Sequence, residues 1–266
     1  MTTLRKKTLD LLWAPIHYFK AICFWVGFAV IILAGTASFL IFLFFHNLPD
    51  IKHMSFTDLK KEAQTQIKKH YEHPKKHRWA TIDSINRDLL FTLVLSEDGT
   101  FFEHEGINHD AIIDALFENV KADEIKYGAS TISQQVAKNL FLSGEKSLVR
   151  KIKEYFITRQ LEKKFNKNQI FELYANMAEF GPDIYGVKAA SRYYFKTEPL
   201  KINAAQGAFM ALMLPSPRKY HYTLFQNKNF SPGLKKKYQR ILRDMRFKEY
   251  LNYKQYHTYL NYNFFN

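Results

Sequence analysis

The first feature of the chain is a long run of apolar residues near its N-terminus. Residues 21–45, AICFWVGFAVIILAGTASFLIFLFF, carry no charged side chain. As a helix that rises about 1.5 Å per residue, this run spans roughly 37 Å, enough to cross a hydrocarbon layer about 30 Å thick. It is also longer than the apolar core of a cleaved signal peptide, which has ~7–15 residues. The pattern therefore predicts a single N-terminal transmembrane helix.

Basic residues precede this run and set its expected orientation. Arg5, Lys6, Lys7 and Lys20 all lie on its N-terminal side. Because short basic flanks stay in the cytoplasm, residues 1–20 are predicted to lie inside, with the rest of the chain on the outer, periplasmic side. We therefore expect a single-pass protein of the cytoplasmic (inner) membrane.

Beyond the apolar run, the hydrophobic pattern becomes that of amphipathic helices. Residues 46–78 are predicted to be a connecting region with one helix at about residues 57–71, and residues 79–266 a single domain. Apolar residues in that domain recur at steps of three and four, and few segments show the alternation typical of strands. The predicted fold class is all-α.

Several helices of this domain have recognisable ends. Ser130 or Thr131 can cap one helix, and Ser147 can cap another. Thr131 and Asn166 are each followed three residues later by a glutamine, which is capping-box spacing. Gly181 is expected to end the helix that follows Asn166.

The helix after Thr131 is predicted to have one apolar and one polar face. The apolar stripe consists of Ile132, Val136 and Leu140. Gln134, Gln135 and Lys138 fall within an arc of about 100° on the other side. Two amides and an ammonium suit phosphate and sugar hydroxyls, whereas an ordinary solvated face is the alternative.

The helix after Ser147 carries a row of charged residues. Its predicted inner face consists of Leu148, Ile152, Tyr155 and Phe156. Lys146, Arg150 and Glu154 recur at steps of four on another face. This row is either an ordinary helix salt bridge, worth ~0.2–0.5 kcal/mol, or a device that orients a carboxylate and binds a pyrophosphate.

Candidate acid–base chemistry is concentrated in SEDGTFFEHEG, residues 96–106. Glu97 and Asp98 lie next to Phe101 and Phe102. A carboxyl group in a partly apolar cleft has a raised pKa, which suits general acid or base catalysis. A turn with solvated acids is the alternative.

Composition adds charge and removes cysteine chemistry. Lys and Arg outnumber Asp and Glu by 39 to 25, for a net charge of +14, which points to an anionic partner. The one cysteine, Cys23, lies in the apolar run, so an intrachain disulfide and a thiolate metal site are excluded.

Other functional classes find little support in the motifs. The aromatic residues do not alternate with basic ones as in a nucleic-acid-binding module. Two SxxK matches, at residues 143–146 and 216–219, lack the SDN and KTG motifs of a transpeptidase. His104 and His109 are five residues apart, not four, which argues against an HExxH zinc site.

Five motifs occur in order along the chain: EDxxFxxHxG, GxSTIxQQxxKN, RKxxE, KxxIxExYxN and LPxPxxY. Together they resemble glycosyltransferase family 51, the peptidoglycan glycosyltransferases, and within it the monofunctional biosynthetic type with one membrane anchor. The resemblance covers about residues 79–220 and continues more weakly to Arg240. The chain departs from the family at Ala129, Lys146, Ala175 and Gln206, where glycine, arginine, leucine and glutamate are common.

The resemblance implies an α-helical, lysozyme-like glycosyltransferase domain with a small, mobile, apolar lobe near the membrane. Residues 107–128 are where that lobe and its flexible loop belong. Ile112, Ile113, Leu116 and Phe117 would then face lipid. A position in the protein core is the alternative for these four side chains.

The resemblance also implies the reaction, in which lipid II units are joined into glycan strands. The 4-hydroxyl of one sugar attacks the anomeric carbon of the growing chain, and undecaprenyl pyrophosphate leaves with inversion. Glu97 is the candidate base. Glu154 matches the family's second glutamate, which holds the leaving group's surroundings or a metal, or orients the cations. The predicted substrate-binding residues are Asp98, Phe101, His104, Ser130, Thr131, Gln134, Gln135, Lys138, Asn139, Lys146, Arg150 and Lys151.

The expected partners follow from this reaction. They are lipid II, the growing glycan strand and membrane lipid, with other proteins of cell-wall synthesis or division as candidates and no nucleic acid. No metal-ligand set is assigned, and a divalent cation, Mg²⁺ or Mn²⁺, is the one candidate cofactor. A lysozyme-like or lytic enzyme that cleaves peptidoglycan stays the alternative, because it shares the carboxylate chemistry.

Overall fold

The computed structural model of the protein describes residues 2–70, 78–122, 130–142, 144–145 and 147–265. This part of the chain is helical apart from one two-stranded antiparallel hairpin, which confirms the predicted fold class. The helices are α1 (Thr2–His46), α2 (Phe56–His70), α3 (Arg87–Glu97), α4 (His109–Ala122), α5 (Ile132–Phe141), α6 (Leu148–Lys164), α7 (Lys167–Met177), α8 (Val187–Phe195), α9 (Ala204–Met213), α10 (Pro217–Tyr220), α11 (Pro232–Phe247) and α12 (Tyr253–Leu260), and the strands are β1 (Glu179–Gly181) and β2 (Ile184–Tyr185).

The chain divides into two compact units, residues 1–49 and 50–266. The first unit is α1, which starts at Thr2 and therefore continues through both the predicted N-terminal segment and the predicted span. Among the described residues, this is the one helix that is long and apolar enough to cross a membrane, and none of its candidate span is buried.

The second unit is built around α9, whose residues are buried on nearly every side. A helix that is apolar all round belongs in the centre of a domain, and α3 and α11 pack directly against it. Gly207 permits the close approach of α3, because a Cβ there would lie 2.4 Å from Thr92 Oγ1. The almost wholly apolar composition of α9 explains this central position.

A second group of helices carries the functional motifs. Helix α5 packs against α6 and α7, and α2 packs against α5 and α7. Leu59, Ala63 and Ile67 of α2 are buried at steps of four, as expected for the inner face of an amphipathic helix. The second unit begins at Asp50, so it includes much of the region between residues 46 and 78 that was predicted to be connecting.

The predicted helix starts are confirmed. Thr131 and Asn166 each form a full capping box, and the Ser147 side chain accepts the Arg150 backbone N–H. The predicted end at Gly181 is wrong, because α7 ends at Met177. Gly181 lies in β1, where a Cβ would come 2.6 Å from the Tyr194 hydroxyl, so close packing explains this glycine.

The predicted inner face of α6 is also wrong. Leu148 is 84% exposed, Ile152 49% and Tyr155 43%. The buried residues of α6 are instead Glu154, Ile157, Thr158 and Leu161. The carboxylate faces inward because two cations accompany it, and the apolar side chains of the first two turns face outward.

Gln206, which replaces a common glutamate of the family, has a defined structural place. Its side chain completes a capping box with Asn203 at the start of α9. Its Nε2 also donates to the Tyr262 hydroxyl at 3.2 Å. A neutral amide can therefore join α9 to the C-terminal segment without an ion pair.

Candidate active site

The acidic loop after α3 is tied to the start of α5 by a chain of hydrogen bonds. Asp98 is buried, and it accepts the Ile132 backbone N–H at 3.0 Å and contacts His104 Nε2 at 2.9 Å. The other ring nitrogen, Nδ1 of His104, accepts the Gly106 N–H at 3.0 Å. The proton of neutral His104 is therefore on Nε2 and points to Asp98. Thr131 Oγ1 completes the connection by donating to the Gly106 carbonyl at 2.6 Å.

Gly106 makes this connection possible. Its φ is +88°, in the region that favours glycine. A Cβ there would also lie 2.7 Å from Glu162 Cγ and 2.8 Å from Thr158 Cγ2 of α6. The glycine of the HxG motif is therefore required both by its backbone conformation and by its contact with α6.

Glu97 is the last residue of α3 and is half-buried. Its Oε2 accepts a hydrogen bond from Gln135 Nε2 of α5 at 3.2 Å. Of the two rings in the motif, Phe101 is buried beneath the Lys167 ammonium, which lies 4.6 Å from the ring centroid, whereas Phe102 is exposed. Only Phe101 therefore anchors the loop in the core.

Tyr174 of α7 is a neighbour of the two acids, Glu97 and Asp98, and was not among the predicted site residues. Burial raises the pKa of its hydroxyl, and the carboxylates of Glu97 and Asp98 raise that pKa further. Among the described residues, the Tyr174 hydroxyl has no hydrogen-bond partner. It is therefore a buried, protonated donor within the electrostatic field of Glu97.

Glu154 lies inside an ion cluster at the start of α6. Its Oε2 accepts from Arg150 Nη1 at 3.0 Å, and its Oε1 pairs with the Lys151 ammonium. Lys151 also donates to Ser130 Oγ at 3.2 Å, which links α6 to the segment before α5. Glu154 is only 2% exposed, so water competes little for its carboxylate, which holds the two cations in place.

A cavity of about 580 Å³ lies beside this cluster. Three of the predicted binding residues, Lys138, Asn139 and Arg150, line it, together with Met177 and other residues. Gln135 and Lys138 are three residues apart on α5, so the contact to Glu97 and the cavity wall lie within one helical turn. Amides and cations beside apolar side chains can bind a sugar phosphate.

The structure adds an arginine that sequence reasoning missed. Arg218, in the LPxPxxY motif, also lines the cavity and is held by Glu179 Oε1 at 3.1 Å. Tyr185 of β2 lies beside it in the same wall. The signal in the sequence was a cation inside the LPxPxxY motif, and the short β-hairpin beside it in the cavity wall has a weak sequence pattern.

The predicted binding residues fall into groups. Those that hold the loop and the start of α5 are Asp98, Phe101, His104, Thr131 and Gln134; Gln134 is buried and accepts the Thr131 N–H through Oε1. Those with side chains toward the cavity or the ion cluster are Ser130, Lys138, Asn139, Arg150 and Lys151, whereas Gln135 is bonded to Glu97. Lys146, Gly128 and Ala129 lie outside the described residues.

The carboxylates of the site do not form a metal cage. Both oxygens of Glu154 are engaged by cations, and Asp98 is held by a backbone N–H and an imidazole. Throughout the described part of the chain, no group of three or more His, Cys, Asp or Glu side chains could hold a metal ion. The residues present do not fit a resident Mg²⁺ or Mn²⁺, and no step below uses one.

Comparison with known proteins identifies this arrangement. A family model described as Transglycosylase matches residues 63–246. The chain belongs to the transglycosylase family. The match includes every residue that lines the cavity or belongs to the ion cluster and the acidic loop, and it confirms the resemblance seen in the motifs.

Curated transglycosylases are similar over much of the same segment. A biosynthetic peptidoglycan transglycosylase of Chromobacterium violaceum is 42% identical over 174 residues, which are 65% of this chain and 74% of the relative. Its counterpart in Nitrosospira multiformis is 43% identical over 165 residues, 62% of this chain and 70% of the relative. That of Paraburkholderia xenovorans is 46% identical over 144 residues, 54% and 60% of the two chains. These names favour synthesis of peptidoglycan over the lytic alternative.

Proposed function

We propose that this transglycosylase polymerises lipid II into the glycan strands of peptidoglycan. The observation that carries the proposal is the position of Glu97, which is bonded to Gln135 of α5. One turn further along α5, Lys138 lines a cavity whose wall also carries Asn139 and Arg150. The carboxylate suits an attacking hydroxyl, and the cations suit a pyrophosphate that leaves. A lytic enzyme would need an acid to protonate a sugar oxygen and has no use for the cations.

Glu97 acts as the general base in this proposal. It takes the proton of the acceptor 4-hydroxyl while the oxygen attacks the anomeric carbon of the growing strand. The bond to the pyrophosphate oxygen breaks with its electron pair, so a single displacement inverts the configuration. Gln135 orients the carboxylate, and the Asp98–His104 connection fixes the end of α3 from which Glu97 extends.

The leaving pyrophosphate is stabilised by charge rather than by protonation. Lys138 and Arg150 supply that charge from two helices, and Lys151 and Arg218 add to it at the edges. Glu154 orients Arg150 and Lys151, which keeps the cations in place before substrate arrives. We therefore assign Glu154 a positioning role rather than a chemical step.

The apolar surface of α4 supports a catalytic domain that works at a bilayer. Ile113 is 50% exposed and Phe117 62%, so neither occupies the core, whereas Ile112 is half-buried and the Leu116 side chain lies outside the described residues. The outward apolar turns of α6 continue this character. We propose that both helices dip into the membrane interface, where lipid II presents its pyrophosphate.

The proposal also fixes a topology, with residues 1–20 in the cytoplasm and the catalytic domain on the periplasmic side. A reporter that is active only outside the cytoplasm, fused after Asn266, is expected to be active. Activity of a cytoplasm-only reporter at that site would contradict the orientation and, with it, access to the proposed substrate.

The direct test of the function is incubation of the purified full chain with labelled lipid II, with products separated by length. We expect a ladder of glycan strands and release of undecaprenyl pyrophosphate. The matched measurement is incubation with preformed peptidoglycan. Soluble fragments there, without a ladder from lipid II, would favour the lytic alternative.

A further inference from the structure

The chain continues beyond the segment that the family model matches, which ends at residue 246. Residues 248–265, called the C-terminal segment below, contain α12 and are rich in aromatic side chains, with five tyrosines and two phenylalanines. Aromatic rings contribute large contact areas and dominate packing where they are buried. We therefore asked which part of the catalytic domain these rings contact.

Helix α11 ends in a turn that directs this segment back onto the domain. The Glu249 N–H donates to the Arg246 carbonyl at 3.1 Å, and the Tyr250 N–H donates to the Met245 carbonyl at 2.9 Å. The two bonds form a Schellman motif, with Glu249 at the left-handed position, φ +61°, where glycine is common. Because a helix cannot continue through that conformation, the chain leaves the axis of α11 at Tyr250.

Tyr250 stacks on the helix that ends at the candidate base. The centroid of its ring lies 3.7 Å from that of Phe91 on α3, and the two ring planes differ by 9°. Phe91 also contacts Phe102 of the acidic loop edge-on, with 6.2 Å between the ring centroids. Glu97 is the last residue of α3. The stack therefore joins the C-terminal segment to both α3 and the acidic loop.

The far end of the segment is attached to the centre of the domain. The ring of Phe264 lies 4.8 Å, centroid to centroid, from that of Phe209 on α9, the helix against which α3 packs. The Tyr262 hydroxyl accepts a hydrogen bond from Gln206 Nε2 at 3.2 Å. Because the segment is fixed at this end as well, Tyr250 is held against α3 from both sides along the chain.

We propose that the C-terminal segment positions Glu97 for proton transfer and that Tyr250 is the positioning residue. Glu97 lies at a helix end, where fraying is easiest, and Phe91 is less than two helical turns before it. Lys248 Nζ adds a second, exposed link to the acidic loop, 2.9 Å from Glu103 Oε1, which contributes little to stability.

The inference rests on the proposed function, because the position of Glu97 matters only if Glu97 is the base. Tyr250 acts through α3 and takes no part in the chemistry itself. A catalytic group that moves by about 1 Å can cost a reaction up to about 10²-fold in rate, so a loosened α3 is expected to lower turnover more than substrate binding.

The test compares three variants of the full chain in a neutral detergent. Tyr250→Ala removes the stacked ring, and Tyr250→Phe keeps it. Tyr253→Ala is the matched control, because it deletes a tyrosine of the same segment that is 69% exposed and whose ring contacts His257 of its own helix. Each variant is assayed for kcat and KM on labelled lipid II, per folded molecule.

Hydrogen–deuterium exchange of residues 96–106 gives a second measurement that does not depend on activity. Several amides there are hydrogen-bonded, among them the Phe101 N–H, which donates to the Asp98 carbonyl at 2.9 Å. Their exchange reports how often the end of α3 and the acidic loop open. Peptides from α7 serve as the internal reference.

We expect Tyr250→Ala to lower kcat at least about fivefold while KM changes by less than about twofold. Exchange in residues 96–106 should become at least about threefold faster, and exchange in α7 should stay unchanged. Tyr250→Phe and Tyr253→Ala should both remain near the wild type in kcat and in exchange. A merely structural ring would lower the melting temperature and leave kcat per folded molecule unchanged.

Three results would overturn the inference: a wild-type kcat in folded Tyr250→Ala protein, unchanged exchange in residues 96–106, or an equal loss of kcat in Tyr253→Ala. If Tyr250→Ala does not fold, Tyr250→Leu, which keeps an apolar side chain without a ring, takes its place in the same comparison. A wild-type chain that forms no glycan strands would contradict the proposed function and the inference together, whereas an active wild type with an equally active Tyr250→Ala contradicts the inference alone.

Discussion

Helices α5 and α6 pack against each other and use apolar residues in opposite ways. In α5 the predicted stripe of Ile132, Val136 and Leu140 is buried. In α6 the predicted stripe is exposed from Leu148 to Tyr155, and Glu154 lies inside. Both helices start at a capping side chain, so the difference is not in how they begin.

The proposed contact of α6 with the bilayer explains this contrast, because the apolar surroundings of an apolar stripe can be lipid as well as the protein core. Beside a bilayer, exposed Leu148 and Ile152 lose nothing by facing outward, because lipid is as apolar as the core. A buried carboxylate is tolerated only with partners, and Arg150 and Lys151 are those partners for Glu154. A buried carboxylate and exposed apolar side chains on the same helix therefore distinguish α6 as part of the candidate site.

The largest expected effect on activity comes from removing the carboxylate of Glu97, which is bonded to α5. Glu97→Gln keeps the size of the side chain and removes its ability to accept a proton. We expect glycan formation per folded molecule to fall by about 10²–10⁴, the usual share of general base catalysis, with the melting temperature unchanged. The measurement is polymer yield from labelled lipid II.

Asp98→Asn is the matched control for this change. Asp98 is buried and bonded to Ile132 and His104, so we expect it to lose stability, by about 1–3 kcal/mol, and less activity per folded molecule than Glu97→Gln. A Glu97→Gln protein that melts normally and polymerises at the wild-type rate would exclude Glu97 as the base.

The next effect tests the inward stripe of α5. Leu140 is 1% exposed. Leu140→Ala removes a buried side chain and leaves a cavity, so we expect the free energy of unfolding to fall by about 2–5 kcal/mol. Thermal or denaturant unfolding of the full chain measures this loss. A change below about 0.5 kcal/mol would mean that the stripe is not core.

The polar face of α5 gives the third prediction. Lys138→Ala removes an exposed cation from the cavity wall, and the fold should survive. A charge-assisted contact to phosphate contributes ~1.5–3 kcal/mol, so polymerisation should fall at least about tenfold. Lys153→Ala, on α6 and outside the cavity lining, is the control. Normal turnover by folded Lys138→Ala protein would show that this face is merely solvated.

Local chemistry explains which features the sequence predicted. The caps at Thr131, Ser147 and Asn166 depend on residues three positions apart. Helix α9 can be recognised from the apolar residues of its own segment. The motif order was sufficient for the family. The predicted helix end at Gly181 was wrong, because close packing against Tyr194, a residue of another helix, requires this glycine.

The rest depends on contacts that periodicity does not reveal. Tyr174 and Arg218 come from two helices, and only the packed fold brings Tyr174 to the carboxylates and Arg218 to the cavity. Each looked like an ordinary core or surface residue in its own segment. The buried face of α6 was predicted wrongly for a related reason, since the helices packed against α6 decide which of its sides is buried.

The fourth prediction concerns the inward carboxylate of α6. Glu154→Gln leaves Arg150 and Lys151 without their anion, although both retain some access to water. We expect the free energy of unfolding to fall by about 1–3 kcal/mol, with turnover lowered because the cations lose their orientation. Retained activity with normal stability would show that the cluster is an ordinary surface salt bridge.

The smallest effect is expected at the outward stripe of α6. Ile152 is 49% exposed, so truncation to alanine leaves no internal cavity, and alanine is the better helix former. We expect Ile152→Ala to change the free energy of unfolding by no more than about 0.5 kcal/mol, against the loss of several kcal/mol at Leu140. The two variants, which delete apolar groups from neighbouring helices, should be unfolded side by side in the same neutral detergent. Equal destabilisation by both would mean that Ile152 is buried in solution, and the contrast between α5 and α6 would then be lost. A small effect at Ile152 beside a large one at Leu140 would place the dry neighbour of the outward stripe outside the protein core.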